Sequence, residues 1–266
     1  MAQPAGTWSS GAAYEAYVGR WSREVASRFV PSLEAPTHGV WIDVGCGTGV
    51  LTEAVLQHTQ PAAVVGLDSS SAFVQAAAAR IRDPRVRFEV GDAAALPVEA
   101  DTADVVVSGL VLNFLPDRAA ALAEWRRVLC PGGVLGLYVW DYAGEMQLMR
   151  RLWDAAVELD PAAADLDEGR RSAFCRPGPL EALAGQAGFA EVRVDAIDVP
   201  TVFSDFDDFW TPFLAGTGPA PAYVAGLAPD ARERLRALLD ERLPRGADGT
   251  IPLRARAWAV RALRPG

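Results

Sequence analysis

The sequence predicts an α/β fold built around a doubly wound parallel sheet. Five short apolar segments alternate with segments of helical periodicity between residues 40 and 140. Residues 104–108 are almost continuously apolar, as expected for a parallel strand covered on both faces. A turn with three glycines, Gly45, Gly47 and Gly49, separates the first apolar segment from a helix. In such sheets, ligands bind at the carboxyl ends of the strands.

Each element follows from a local pattern. The second helix is expected to begin after Ser69 and Ser70, whose side-chain oxygens can cap it, and to end before Pro84. Asp117 is expected to begin the third helix. We expect strands at 40–44, 62–67, 86–90, 104–108 and 134–140, helices from Thr48, from Ser71 and over 117–129, and a turn at Pro131-Gly132-Gly133. Later elements are expected as a helix at 145–160, a charged connection at 165–176, a helix at 179–187 and strands at 191–199 and 251–260.

The glycine turn, residues 45–49, carries the first chemical signal. Glycines let backbone N–H groups approach a ligand where a Cβ would intrude. The free amides at the start of the following helix favour a negative group such as a carboxylate. Asp68 closes the next predicted strand, where an acidic side chain can accept hydrogen bonds from both ribose hydroxyls. The pattern indicates a nucleotide-type cofactor.

The identity of that cofactor follows from spacing and charge. A dinucleotide site needs G-x-G-x-x-G, whereas this turn reads G-x-G-x-G. Asp43 at the end of the first strand would repel a pyrophosphate and attract a cationic amine or sulfonium. These features favour S-adenosylmethionine over NAD.

The sequence resembles the class I S-adenosylmethionine-dependent methyltransferases over residues 40–140. Their first motif, D-x-G-x-G-x-G, is matched by Asp43-Val44-Gly45-Cys46-Gly47-Thr48-Gly49, and Gly91-Asp92-Ala93-Ala94 is similar to their adenine-contacting turn. The resemblance is to the small-molecule type 11 group, which includes quinone-biosynthesis C-methyltransferases. It implies a Rossmann-like seven-stranded sheet of order 3-2-1-4-5-7-6 with strand 7 antiparallel. The cofactor-binding residues it implies, with the aromatic and loop positions discussed below, are Tyr14, Tyr17, Trp21, Asp43, Gly45, Cys46, Gly47, Thr48, Gly49, Asp68, Ser69, Ser70, Asp92, Ala93, Ala94, Ser108, Gly109, Leu110 and Asn113.

One domain, residues 1–266, accommodates this fold. We expect an N-terminal helical cover at 1–35, a cofactor-binding core at 36–142, a helical insertion at 143–176 and a C-terminal part at 177–266. Tyr14, Tyr17 and Trp21 share one helical face. That helix either docks on the core or, as the resemblance implies, covers the methionine end of the cofactor and part of the acceptor pocket.

A long segment at 201–249 precedes the last strand. Its aromatic residues Phe206, Phe209, Trp210 and Phe213 form one helical stripe, and 231–243 forms a second amphipathic helix. The segment is either a cap over the acceptor pocket or a peripheral helical pair that buries its own aromatics. The candidate substrate-binding residues are Tyr17, Trp140, Tyr142, Phe206, Trp210 and Phe213.

No general base stands out. His38 and His58 lie on the side remote from the carboxyl edge of the sheet. Asn113 occupies the place where some relatives carry a histidine, and it can orient a substrate but cannot act as a base. Asp141 follows strand five at the correct edge and is either a base or a solvated turn carboxylate. Cys46 at the helix start is interpreted as a packing residue, because a thiolate there would itself be methylated.

Composition excludes several classes. A net charge of −9 with dispersed arginines argues against nucleic acid as a partner. Cys46, Cys130 and Cys175 form no C-x-x-C pair, so neither a disulfide framework nor a metal site is expected, and a reducing cytoplasm suits them. We expect no secretory signal and no membrane span. A homodimer is compatible with the sequence.

These observations predict an S-adenosylmethionine-dependent methyltransferase, with S-adenosylhomocysteine as product. The expected acceptor is a small apolar or aromatic metabolite of secondary metabolism, methylated at oxygen, nitrogen or carbon by in-line displacement. One alternative is a non-methylating descendant, a cyclase or ligand-binding protein that keeps the cofactor for structure or electrostatics. An NAD-dependent dehydrogenase is disfavoured by the glycine spacing and Asp43.

Overall fold

The computed structural model describes residues 19–215 and 218–266, and Tyr14 and Tyr17 lie outside these ranges. Within them, seven strands form one sheet in the order β3-β2-β1-β4-β5-β7-β6, which confirms the predicted fold. Strands β1 to β5 pair in parallel, with Asp43 of β1 level with Gly66 of β2 and Val107 of β4. The strands are β1 Val40–Val44, β2 Ala63–Asp68, β3 Val86–Val90, β4 Ala103–Gly109, β5 Leu129–Trp140, β6 Ala190–Phe203 and β7 Ile251–Leu263.

The last strand, β7, runs antiparallel to β5, as predicted. At one end, the Gly132 amide donates to the Arg264 carbonyl, and the Arg264 amide donates to the Gly133 carbonyl, each at 2.9 Å. At the other end, the amide of Asp141 donates to the Arg256 carbonyl at 2.9 Å. Residue numbers therefore rise along β5 while they fall along β7.

Helices occupy most of the connections. The first described helix, α1, contains Pro31 inside its last turn. Ser70 and Asp117 directly precede α3 and α4, and their side chains cap the first turns of these helices. The helices are α1 Arg20–Ser32, α2 Val50–His58, α3 Ser71–Arg80, α4 Arg118–Val128, α5 Gln147–Leu159, α6 Glu168–Arg171, α7 Pro177–Gln186, α8 Phe206–Trp210, α9 Pro219–Gly226 and α10 Pro229–Arg242. Short 3₁₀ turns lie at Leu112–Phe114, Pro161–Asp165 and Thr211–Ala215. No helix in the described ranges is long and apolar enough to cross a membrane.

The chain divides into two compact units. The sheet unit contains residues 22–139, 176–197 and 258–266, and the helical unit contains the described residues of 1–21, 140–175 and 198–257. Each unit is assembled from separated segments, and the expectation of a single domain stays a prediction.

The sheet unit has an apolar core on both faces of its strands. Trp41, Ile42, Val105 and Val106 are fully buried. Burying a side chain of this size contributes roughly 1.5–3 kcal/mol, so these strands form the stable base of the carboxyl edge.

The helical unit has a core rich in aromatic rings. Phe203 makes edge contacts with Trp21 at 5.2 Å and with Phe209 at 5.3 Å between ring centroids. Phe206 stacks on Trp210 at 6.2 Å and 15°. Such pairs add about 0.5–1.5 kcal/mol each beyond the area they bury.

Three expectations about local structure were wrong. Pro131-Gly132-Gly133 belongs to β5 rather than to a turn, because its backbone pairs with Arg264 of β7. Residues 165–176 are not a simple charged connection, since they form α6 and bury Asp167 and Glu168. The long segment before β7 also contains a further helix, α9.

Candidate functional site

The glycine turn connects β1 to α2 at the carboxyl edge of the sheet. The amides of Gly45 and Cys46 both donate to the Leu67 carbonyl, at 2.7 and 2.9 Å, which fixes the start of the turn against β2. Helix α2 begins after Gly49, which adopts a left-handed conformation and supplies no side-chain cap. The amides of the first turn of α2 can therefore serve a ligand instead of a cap.

The three glycines of the turn have different roles, although all have positive φ. A Cβ on Gly47 would meet no atom within 4 Å, so this residue alone of the three leaves open space. A Cβ on Gly45 would collide with the methyl groups of Val111, and one on Gly49 would lie 2.8 Å from Ile81 Cδ1. Open space beside the backbone is therefore found at Gly47, whereas side chains occupy the space beside Gly45 and Gly49. Contact of any of the three glycines with a ligand stays a prediction.

Asp68 lies at the end of β2 and supports the turn from the side. Its Oδ2 accepts a hydrogen bond from the Gly47 amide at 3.0 Å, and its Oδ1 accepts one from the Ser70 amide at 2.8 Å. The residue is partly exposed, and each carboxylate oxygen has further acceptor capacity. Ser70 caps α3 through its hydroxyl, while Ser69 is exposed beside it.

Asp43 is the most unusual group of the site. It is 1 % exposed, and its Oδ2 accepts a hydrogen bond from the Thr52 hydroxyl at 2.6 Å, while its Oδ1 is buried without a partner. Burial raises the pKa of Asp43 to about 7, and the negative charge of Asp68 also raises it. Hydrogen bonds from the side chain and backbone of Thr52 lower the pKa in part. A buried acceptor without a donor is costly, so the site suits a ligand that brings a positive donor.

The expected adenine turn follows β3. The Gly91 amide donates to the Asp68 carbonyl at 3.0 Å, and Asp92 accepts a bond from the Ala94 amide at 2.8 Å. The Ala93 carbonyl accepts a bond from the Trp125 indole N–H at 2.9 Å. This turn is held to β2 and α4, and Asp92 itself is exposed.

The segment after β4, residues 110–114, is called the β4 loop below. Just before it, the buried Ser108 hydroxyl donates to the Val44 carbonyl at 2.8 Å, which ties β4 to β1, and Gly109 ends β4. Leu110 has a φ of 62°, rare for a residue with a large side chain. Asn113 is partly buried in the 3₁₀ turn, and Phe114 beside it is 49 % exposed.

Cys46 is buried in the turn. Burial raises the pKa of its thiol above the ordinary range, and the charges of Asp43 and Asp68 act in the same direction. The thiol is therefore neutral and packs as a small apolar group, while Thr48 in the same turn is partly exposed.

The expected substrate-binding residues within the described chain are buried in the helical unit. Trp140, Tyr142, Phe206 and Trp210 are at most 7 % exposed, and Phe213 is fully buried. Trp21, expected near the cofactor, contacts Phe203 in the same unit. These positions agree with the interpretation that the late segment buries its own aromatics, and contact of these rings with an acceptor stays a prediction.

Asp141 lies in a tight turn of the helical unit. Its Oδ2 accepts a bond from the Glu145 amide at 2.9 Å, and it is 6 % exposed. The carboxylate is thus a buried turn residue rather than a solvated one. Its use as a base stays a prediction that this geometry does not support.

Three residues at the site were not predicted from the sequence. Thr52 binds Asp43, and its position as a polar side chain on the inner face of α2 was a readable signal. Phe114 was readable as an aromatic in the loop that follows β4. The contact of Val111 with Gly45 had no local signal. Among the residues that the structure describes, no group of acidic, cysteine or histidine side chains is arranged to hold a metal ion.

Comparisons with known proteins find methyltransferases. A family model described as a methyltransferase domain matches residues 42–137, which include the glycine turn, Asp68 and the β4 loop. The chain is 31% identical over 244 residues to trans-aconitate 2-methyltransferase of Methylobacterium nodulans, covering 83% of this chain and 84% of the relative. It is 37% identical over 169 residues to the enzyme of the same name from Methylobacterium radiotolerans, where the alignment covers 61% of each chain.

A solved structure shows the same fold. Phosphoethanolamine N-methyltransferase 2 of Haemonchus contortus, in complex with S-adenosyl-L-methionine, has a TM-score of 0.59 at 17% identity. The match covers 96% of this chain and 56% of that chain. At this identity the likeness concerns the fold alone.

Proposed function

This chain belongs to the class I S-adenosylmethionine-dependent methyltransferases, and we propose that it transfers a methyl group from that cofactor to a small organic acceptor. The observation that carries the proposal is the Asp43 carboxylate, which is buried beside the glycine turn with one oxygen unpaired. A dinucleotide would bring a pyrophosphate to this place, whereas S-adenosylmethionine brings cationic groups.

The residues of the sheet unit divide the work of holding the cofactor. Asp43 would pair with a positive group, the open face of Gly47 would let the backbone approach, and Asp68 would accept from the ribose hydroxyls. The free amides at the start of α2 suit the carboxylate of the amino-acid part. When bound, S-adenosylmethionine supplies an electrophilic methyl group.

The contribution of the chain to the reaction is then positioning. Holding two reactants in line can supply roughly 7–11 kcal/mol of the barrier. Asn113 can orient an acceptor by hydrogen bonds, and the exposed Phe114 ring offers an apolar contact beside it. These neighbours support an acceptor with an apolar part, methylated at oxygen, nitrogen or carbon. An acceptor that is already anionic, or an amine, would need no base from the chain.

The alternatives have less support. No observation on the described residues favours a non-methylating cyclase or ligand-binding role over methyl transfer, and the names of the relatives favour methyl transfer. NAD chemistry is disfavoured because the turn reads G-x-G-x-G, so Val50 stands where a dinucleotide motif needs its third glycine.

We further propose that the enzyme acts in the cytoplasm, in secondary metabolism, on a small molecule and not on nucleic acid. The free cysteines Cys46, Cys130 and Cys175 suit a reducing compartment. Homodimer formation is a separate proposal that light scattering of the purified chain tests.

The test is incubation of the purified chain with methyl-labelled S-adenosylmethionine and an acceptor panel. The panel includes trans-aconitate and demethylated quinones, and products are read by mass spectrometry. We expect label in one acceptor and stoichiometric S-adenosylhomocysteine. Turnover of an acceptor without label transfer would contradict methyl transfer and support the cyclase alternative.

A further inference from the structure

Val111 of the β4 loop fills the notch that Gly45 leaves in the glycine turn. A Cβ on Gly45 would collide with Val111 Cγ2 and would lie 2.8 Å from Cγ1. Gly45 has a φ of 72°, and its amide is bound to the Leu67 carbonyl at 2.7 Å. The valine side chain therefore rests on a backbone segment that is itself fixed to β2.

The conformation that delivers Val111 to this notch is costly. Leu110 is held in the left-handed region at a φ of 62°, where a non-glycine residue loses roughly 1–2 kcal/mol. Its amide donates to the Tyr138 carbonyl of β5 at 2.8 Å. Strained residues of this kind persist where the surroundings fix them, and they cluster at functional sites.

The rest of the β4 loop is tied to Val111. The Phe114 amide donates to the Val111 carbonyl at 2.8 Å, and Arg118 Nε donates to the Leu112 carbonyl at 3.2 Å. A shift of Val111 would therefore carry Asn113 and Phe114 with it.

We infer that Val111 is a positioning residue that couples the glycine turn to the β4 loop, so that a ligand bound on the turn orders the segment carrying Asn113 and Phe114. The inference rests on the proposed function, since the ligand in question is the cofactor. In this arrangement cofactor binding prepares the acceptor side of the site before the acceptor arrives. Val111 needs no contact with the cofactor itself.

Hydrogen exchange with S-adenosylhomocysteine as probe tests the coupling. The readout is amide exchange in residues 110–116, followed by mass spectrometry with and without saturating probe. In the wild type, we expect the probe to slow exchange there by about tenfold. In Val111→Ala, we expect most of this slowing to be lost while exchange in the glycine turn is still slowed.

Val86→Ala is the matched control. Val86 is also partly buried, but it lies at the amino end of β3, away from the carboxyl edge. Val86→Ala should lose stability as Val111→Ala does, but in this variant the probe should still slow amide exchange at 110–116. Val111→Thr, which keeps the shape of valine, should behave as the wild type.

A double-mutant cycle gives a second readout, affinity for the same probe. Gly45→Ala should weaken binding strongly because its Cβ collides with Val111. Adding Val111→Ala removes the two colliding methyl groups and leaves only Cβ at 3.1 Å, so the double variant should bind about fivefold more tightly than Gly45→Ala alone. The coupling would be overturned if the double variant lost affinity by the product of the two single losses. It would also be overturned if the probe slowed exchange at 110–116 as much in Val111→Ala as in the wild type. A wild type that binds the probe without any change at 110–116 would overturn the inference alone, whereas a wild type that does not bind it would overturn the proposed function.

Discussion

At the scale of single residues, the burial of Asp43 favours the binding of a cationic ligand. Its carboxyl has a pKa of about 7 because burial disfavours the charged form, and a cationic ligand restores that form. Ligand binding should therefore release a proton when it occurs near neutral pH.

The pH dependence of affinity follows from this release. Below the pKa of the free site most Asp43 carboxyls are protonated, so we expect affinity for S-adenosylhomocysteine to be about tenfold lower at pH 6 than at pH 8. Calorimetry at both pH values, in buffers of different ionisation enthalpy, measures the affinity and the proton. Asp43→Asn should bind weakly at both values, and an equally steep pH dependence in that variant would assign the titration to another group.

Asp68 is predicted to matter for affinity for the cofactor. Its replacement by alanine removes the Gly47 anchor and the proposed ribose contacts, so we expect binding to weaken by about tenfold or more. Asp83→Ala is the control, since Asp83 binds Arg85 before β3 and not a residue of the site. Unchanged affinity in Asp68→Ala, measured by titration calorimetry, would argue against this site.

At the scale of elements, the glycines of the turn differ in what lies beside them: open space at Gly47 and packed side chains at Gly49. Gly47→Ala and Gly49→Ala should each cost roughly 1–2 kcal/mol because both residues have positive φ. Only the alanine at 49 also meets Ile81, so it should destabilise the fold further, whereas the alanine at 47 points into open space. Denaturant unfolding should show the larger loss of stability in Gly49→Ala. Titration calorimetry with S-adenosylhomocysteine should show that Gly47→Ala loses more affinity for its loss of stability than Gly49→Ala does. The reverse order would refute the division of roles.

The short helix α6 brings a buried carboxyl into the helical unit. Glu168 accepts a hydrogen bond from the Trp153 indole N–H at 3.1 Å, and burial raises its pKa from 4.5 to about 7. The pKa of Glu168 is higher in the folded state than in the unfolded state. The free energy of unfolding therefore falls as pH rises from about 4.5 to about 7, because the unfolded state ionises first.

Glu168→Gln should remove that loss. We expect the variant to be more stable than the wild type by up to about 3 kcal/mol at pH 8 and nearly equal to it near pH 4. Thermal unfolding at the two pH values measures the difference. Equal stability of the two proteins at pH 8 would show that the buried carboxyl is not destabilising.

At the scale of the whole molecule, local patterns predicted the sheet well. The bounds of β1 and β3 agree with those expected from these patterns. The antiparallel direction of β7, which was implied only by the family resemblance, is also confirmed. Alternating apolar segments determine such strands locally. Asp43, Gly47 and Asp68 could be selected as candidates from spacing because they lie in the last residues of strands or in the turn that follows.

The features that the sequence did not reveal depend on distant partners. Val111 fits Gly45 only because Leu110 adopts a conformation that leucine rarely takes. The burial of Glu168 depends on the hydrogen bond from Trp153 and on the nearby Arg150–Asp167 ion pair, which form only in the folded helical unit. Periodicity cannot show such contacts, since each requires the three-dimensional fold.

The central claim is that the cradle of Asp43, Gly47 and Asp68 is built for S-adenosylmethionine. Titration calorimetry of the full chain at pH 8, with S-adenosylhomocysteine and NADH in separate experiments, tests it most directly. We expect saturable one-site binding of S-adenosylhomocysteine and no binding of NADH. Saturable binding of NADH together with no heat from S-adenosylhomocysteine would contradict the claim.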